Sequence, residues 1–100
     1  MEYGVETGTD GLSVRITGRM THADYKGFRH ILQTINEHDA PRIVFDLKTV
    51  EFVDSSALGM LLIVRDAAVQ QKRDVVLKGA TGQVEKLINV SKLHKYFIIE

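Results

Sequence analysis

The chain contains no cysteine, and that absence removes a disulfide framework, a thiolate metal site and a cysteine nucleophile together. It also fits a reducing compartment, so the expected location is the cytoplasm. Net charge is missing too: 13 Lys and Arg balance 13 Asp and Glu in 100 residues. Nucleic-acid binders carry a basic excess or stripe because each phosphate contact needs a cation, so no nucleic-acid partner is expected. There is no long hydrophobic run. The longest, Ala57 to Val64, includes Gly59, whereas a spanning helix needs about 20 apolar residues, so no membrane insertion is expected. Met1 to Val5 offer neither a basic region nor an apolar stretch, and no secretory signal is expected there. Proline occurs once, at Pro41. No repeat, linker or low-complexity segment divides the chain, so residues 1–100 are expected to form one domain.

What is present is enough apolar surface to fold. With 44% hydrophobic residues, the chain differs from disordered sequences, which combine low hydrophobicity with high net charge. Tyr3, Val5 and Thr7, then Leu12, Val14 and Ile16, alternate with polar neighbours and read as two half-buried strands. Gly8-Thr9-Asp10-Gly11 between them predicts a tight hairpin turn, and Gly18 is expected to end the second strand. From Thr21 the period changes. Phe28, Ile31, Leu32 and Ile35 form one helical stripe, with Thr21 or Asp24 as cap and Asp39-Ala40-Pro41 as stop. Arg42 to Leu47 is a continuous apolar run with β-branched residues, suited to a strand covered by helices on both faces.

A second helix is predicted from Ser55 or Ser56 to about Gln71. Leu58, Leu61, Leu62, Ala68 and Val69 share a face, while Met60, Ile63, Val64 and Ala67 widen the apolar arc, so its first half should be largely buried. Val75-Val76-Leu77 reads as a strand and Gly79 to Gly82 as a loop. A third helix carries Val84, Leu87 and Ile88, and Tyr96 to Ile99 forms a final strand or docked tail. This alternation implies an α/β fold: a mostly parallel mixed sheet with an N-terminal antiparallel hairpin and about three packed helices.

In such sheets, reactive groups gather where strands end and helices begin. Asp54, Ser55 and Ser56 occupy that place, at the positive end of a helix whose first N–H groups lack partners. Asp54 or Ser55 suits an N-cap. One serine suits a phosphoryl acceptor, since a helix N-terminus stabilises anions. The two roles are compatible, one hydroxyl capping and the other modified.

Ile43-Val44-Phe45-Asp46-Leu47 followed by Val50-Glu51-Phe52-Val53-Asp54-Ser55-Ser56-Ala57-Leu58-Gly59 resembles the signature of the STAS-domain family. That domain is shared by bacterial anti-sigma-factor antagonists and the cytoplasmic ends of sulfate transporters. The likeness extends over nearly the whole chain, including Gly18 and the closing Phe97-Ile98, and implies a STAS-like single domain. It also implies a non-enzymatic regulator of transcription by signal transduction, with Ser56 as phosphoacceptor and Asp54, Ser55 and Thr21 shaping the site and partner surface. The implied partners are a serine kinase anti-sigma factor, or a related histidine-kinase-like ATPase, and a serine phosphatase. Unphosphorylated antagonist would hold the kinase and free its sigma factor, and phosphorylation would release the kinase. Thr21 stands where such antagonists often carry Asp, and Ala57 where Gly is common. The alternatives are a STAS scaffold or adaptor in a transport or stress-sensing assembly, with serines that only cap, and a nucleotide or small-molecule sensor.

Other residues read more plainly. His22, His30 and His38 are spaced by eight, a rotation of about 80° beyond whole turns, so they do not share a helix face as metal ligands. Neither metal nor cofactor is expected. Asp46 lacks the partner carboxylates of an aspartyl-phosphate site, residues 79–82 lack the spacing of a phosphate loop, and no serine sits in a hydrolase elbow. Lys72 and Arg73 follow a helix, where cations favour the C-terminal dipole.

Overall fold

The computed structural model describes residues 1–8 and 11–100. Its elements are β1 (Glu2–Gly8), β2 (Gly11–Met20), a 3-10 turn at His22–Asp24, α1 (Tyr25–Asn36), β3 (Arg42–Val53), α2 (Ser55–Gln70), β4 (Asp74–Lys78), α3 (Gly82–Val90), a second 3-10 turn at Leu93–Lys95, and β5 (Ile98–Ile99). The five strands make one sheet in chain order. β1 runs antiparallel to β2, from Glu2 opposite Thr17 to Gly8 opposite Gly11, and the remaining pairs are parallel. The expected hairpin is present, while its turn residues Thr9 and Asp10 lie outside the described residues.

Strand order equal to chain order makes every crossover step the same way. Because crossovers are right-handed, the helices then collect on one face of the sheet. The core reflects this: Leu12, Val14 and Ile16, Ile43, Phe45 and Leu47, and Val75 and Leu77 form one cluster with apolar residues of all three helices. The two-sided covering expected of β3 is therefore corrected. Val44 and Asp46 point to the helix-free face and are half-buried. Val44, Val76 and Ile98 lie opposite one another there, an apolar row that explains the unbroken run in sequence.

β2 and β3 both outlast their predicted ends. Gly18 does not stop β2 but sits within it at φ +92°, a conformation open to glycine because it has no Cβ. One residue separates Arg15 from Thr17 while two separate their partners Asp46 and Thr49, and Gly18 and Arg19 oppose Val50 and Phe52. β3 thus carries two bulges, each inserting one residue. Its inward positions accordingly recur every third residue, and Leu47, Val50 and Val53 are all buried. The strand predicted to end at Leu47 in fact runs to Val53, directly before Asp54.

α2 is less enclosed than its composition suggests. Ala57, Leu58, Met60, Leu61, Val64 and Ala68 are buried, but Ile63 is 58% and Val69 49% exposed, because the sheet and α1, on which the helix rests, cover only part of its apolar arc. Arg73 also differs from expectation. It is buried and donates to the carbonyl oxygens of Ile35, at 2.7 Å, and of His38, so its charge serves the end of α1 rather than of α2.

Candidate functional site

α1, α2 and α3 each follow a parallel strand, so their first turns meet at the carboxyl edge of the sheet. A single residue, Asp54, joins β3 to α2. Its N–H donates to the Met20 carbonyl at 3.1 Å, adding a last rung beyond the β2–β3 ladder. Its carboxylate accepts from the N–H of Ala57 at 2.8 Å and from the N–H of His22 at 3.1 Å. Asp54 therefore ties together the end of β2, the turn before α1 and the start of α2.

This geometry settles which residue caps the helix. Asp54 is the N-cap, so the cap is a carboxylate, and neither hydroxyl shares that work. Ser55 and Ser56 occupy the first helical positions, are exposed, and carry backbone N–H groups that helix geometry leaves without intrahelical partners. The Ala57 N–H, with a further contribution from His22, holds the Asp54 carboxyl below its ordinary range against the opposing effect of burial. Asp54 is consequently a firm negative charge beside two free hydroxyls.

Thr21 acts one step back. Its hydroxyl accepts from the Ala23 N–H at 3.3 Å, and its own N–H donates to Asp24 at 2.7 Å. This capping box fixes the turn that presents the His22 N–H to Asp54. The His22 ring is exposed, with Nδ1 3.6 Å from the same carboxylate.

A residue that the sequence did not single out completes the mount. The Gln83 side chain accepts from the Val53 N–H at 3.1 Å and donates to the Val53 carbonyl at 3.0 Å. β4 pairs with β3 only as far as Asp46 opposite Lys78, so the glutamine amide stands in for a strand that has already ended. The one sequence signal was its place in the first turn of α3. Val53 and Asp54 are thus held from both sides, and the serines project from a fixed base.

The remaining candidates lie elsewhere. Asp46 is on the helix-free face, where it accepts from the Lys48 N–H at 3.0 Å and lies 3.6 Å from Arg15. His30 meets the Tyr3 hydroxyl, and His38 the Thr34 carbonyl. Among the described residues no group of three or more His, Asp or Glu is placed to hold a metal ion, and no helix is long and apolar enough to cross a membrane.

Comparison with known proteins agrees with this architecture. A family model described as "Mlab, STAS domain" matches residues 4–100. A STAS-domain containing protein of Pseudomonas aeruginosa is 32% identical over 88 residues, covering 88% of this chain and 86% of that one. Among solved structures, an anti-sigma factor antagonist from Mycobacterium paratuberculosis superposes with a TM-score of 0.86 at 18% identity, over 98% of this chain and 83% of that one. The antagonist SpoIIAA, in its unphosphorylated form, gives 0.82 at 20% identity, over 99% and 88%. The phosphorylated form of Bacillus SpoIIAA gives 0.74 at 19%, over 99% and 91%.

Proposed function

The chain belongs to the STAS-domain family, and from that premise we propose that it is a cytoplasmic regulator of the anti-sigma-factor antagonist type, switched by phosphorylation of Ser56. The observation that carries this reading is the division of roles at the start of α2. Asp54 supplies the cap, which leaves the exposed Ser56 hydroxyl free to react without unwinding the helix. The γ-phosphoryl group of ATP passes to Ser56 Oγ, with loss of the hydroxyl proton and release of ADP. A serine kinase anti-sigma factor, or a related histidine-kinase-like ATPase, makes that transfer, and a serine phosphatase reverses it. The chain itself contributes no catalysis.

The physical switch is electrostatic. Phosphoserine adds about −1.5 to −2 charges, placed beside the Asp54 carboxylate. An interface formed around a neutral hydroxyl then faces like-charge repulsion and the desolvation of a dianion, and the partner is released. Asp54 sets the negative background, Ser55 shares the exposed helix start, and Thr21 acts through His22 to keep Asp54 in place. Likeness to both the unphosphorylated and the phosphorylated forms of SpoIIAA supports a switch that needs no refolding.

The test is intact-mass spectrometry and phosphopeptide mapping of the chain isolated from its own cells. One phosphoryl group on Ser56, lost in Ser56→Ala, is expected. A phosphoryl group that persists in Ser56→Ala would overturn the assignment. A wild-type chain never phosphorylated, with signalling intact in Ser56→Ala, would favour a scaffold.

A further inference from the structure

Helices that follow neighbouring parallel strands run side by side in the same direction. α1 and α2 do so, and between them lies a groove of about 200 Å³ walled by Tyr25, Phe28, Arg29 and Leu32 on one side and Met60, Ile63 and Val64 on the other. The walls obey helical spacing: Tyr25, Phe28, Arg29 and Leu32 are i, i+3, i+4 and i+7, and Ser56, Met60 and Ile63 are i, i+4 and i+7. Ser56 therefore heads the same stripe of α2 that lines the groove, with Ile63 about 10 Å further along the helix axis.

Two properties of the groove describe its occupant. It is apolar and open, with Tyr25 57% and Ile63 58% exposed. Its volume is below the roughly 300–1,000 Å³ of small-molecule pockets, so it suits inserted side chains better than a nucleotide. The one charged residue in its lining is a cation, Arg29, in a chain whose net charge is zero. α1 also carries Lys26, next to Tyr25, and no carboxylate at all, while His30 turns to Tyr3 and the one carboxylate on α2, Asp66, lies 3.2 Å from Arg65.

We propose that this groove is the docking surface for the kinase that modifies Ser56, and that it receives an apolar helix flanked by carboxylates. The proposal rests on Ser56 being the acceptor and adds what brings the kinase there. It also accounts for the direction of the switch. Lys26 and Arg29 attract the acidic flanks, and a phosphate at the head of the groove opposes that attraction where the kinase has just acted.

The experiment measures initial rates of Ser56 phosphorylation. Purified unphosphorylated chain is added, with ATP and phosphatase inhibitors, to an extract of its own cells. Ile63→Glu, at an exposed position where folding is not at stake, is expected to slow the rate about tenfold, the scale of a central interface residue. Lys26→Glu combined with Arg29→Glu is expected to slow it about fivefold and to remove its sensitivity to added salt. Val90→Glu, at an apolar position on α3 that is 71% exposed, is the control and should match the wild type. Wild-type rates in both groove variants would overturn the docking surface while leaving the acceptor intact. Absence of phosphate from Ser56 in the wild type would instead overturn the reading beneath it. A dimer that Ile63→Glu dissolves, with phosphorylation unchanged, would assign the groove to a second copy of the chain and overturn the proposal.

Discussion

α2 and α3 begin at the same edge of the sheet, and both first turns are polar, yet they are used in opposite ways. Their N-caps have nearly the same extended backbone, Asp54 at φ −95°, ψ 174° and Thr81 at φ −135°, ψ 167°. Only Asp54 makes the side-chain cap. Thr81 makes none, and the next polar side chain, Gln83, turns away from its own helix to hold Val53. α2 is thus secured by a carboxylate so that its serines stay free, while α3 leaves its own start unsecured and steadies its neighbour. A helix start can leave its polar side chains free or use one as a clamp, and backbone geometry alone does not decide which.

The widest separation between the two starts lies in chemistry. Ser56→Ala should abolish phosphoryl incorporation completely and Thr81→Ala should leave it unchanged, as phosphopeptide mapping will read; modification of Thr81 would erase the distinction. Next comes the clamp. Gln83→Ala removes two hydrogen bonds, each worth about 0.5–1.5 kcal/mol net, so urea unfolding should show a loss of about 1–2 kcal/mol. Amide exchange at Val53 should also accelerate about tenfold as local opening becomes easier. Unchanged exchange at Val53 would show that the clamp holds nothing.

The cap should reveal itself through pH. The Asp54 pKa is lowered in the folded chain, so its contribution is present above the unfolded carboxylate value of about 4 and is lost as pH falls through the lower folded value. The stability gap between the wild type and Asp54→Ala should accordingly be widest near neutrality and close in acid. A gap that is constant across urea melts from neutral pH to strong acid would contradict the capping role. The smallest effect belongs to Thr81→Ala, which should move stability by less than about 0.5 kcal/mol. A larger loss would mean that α3 is capped after all.

Much of this was legible in the chain itself, for identifiable reasons. Strands and helices with intact periodicity, such as Leu12-Val14-Ile16 and Phe28-Ile31-Leu32-Ile35, were read directly, because one buried face imposes a period of two or of 3.6. Asp54, Ser55 and Ser56 stood out because they stand where a strand gives way to a helix, and the Asp54 cap acts on backbone only three residues away. The end of β3 was hidden because two bulges turned its period of two into three at Leu47, Val50 and Val53. Gln83 was hidden because its partners are backbone groups 30 residues away, which no side-chain pattern marks. Ile63 looked like core because hydrophobicity gives the width of an apolar arc and not how many neighbours arrive to cover it.

The one-way winding of the fold has an electrical consequence. Three helices lying roughly parallel add their peptide dipoles instead of cancelling them, and α2 alone, with 16 residues, contributes on the order of 50–60 debye. In a chain with no net charge the helical backbone is therefore still polarised, with its positive pole at the edge that bears Ser56. In the field of an approaching partner it feels a torque rather than a net pull, and it turns that edge forward before contact. A dianion at the positive pole shrinks the moment that produces this alignment, so phosphorylation would lower the frequency of productive encounters as well as the lifetime of the complex.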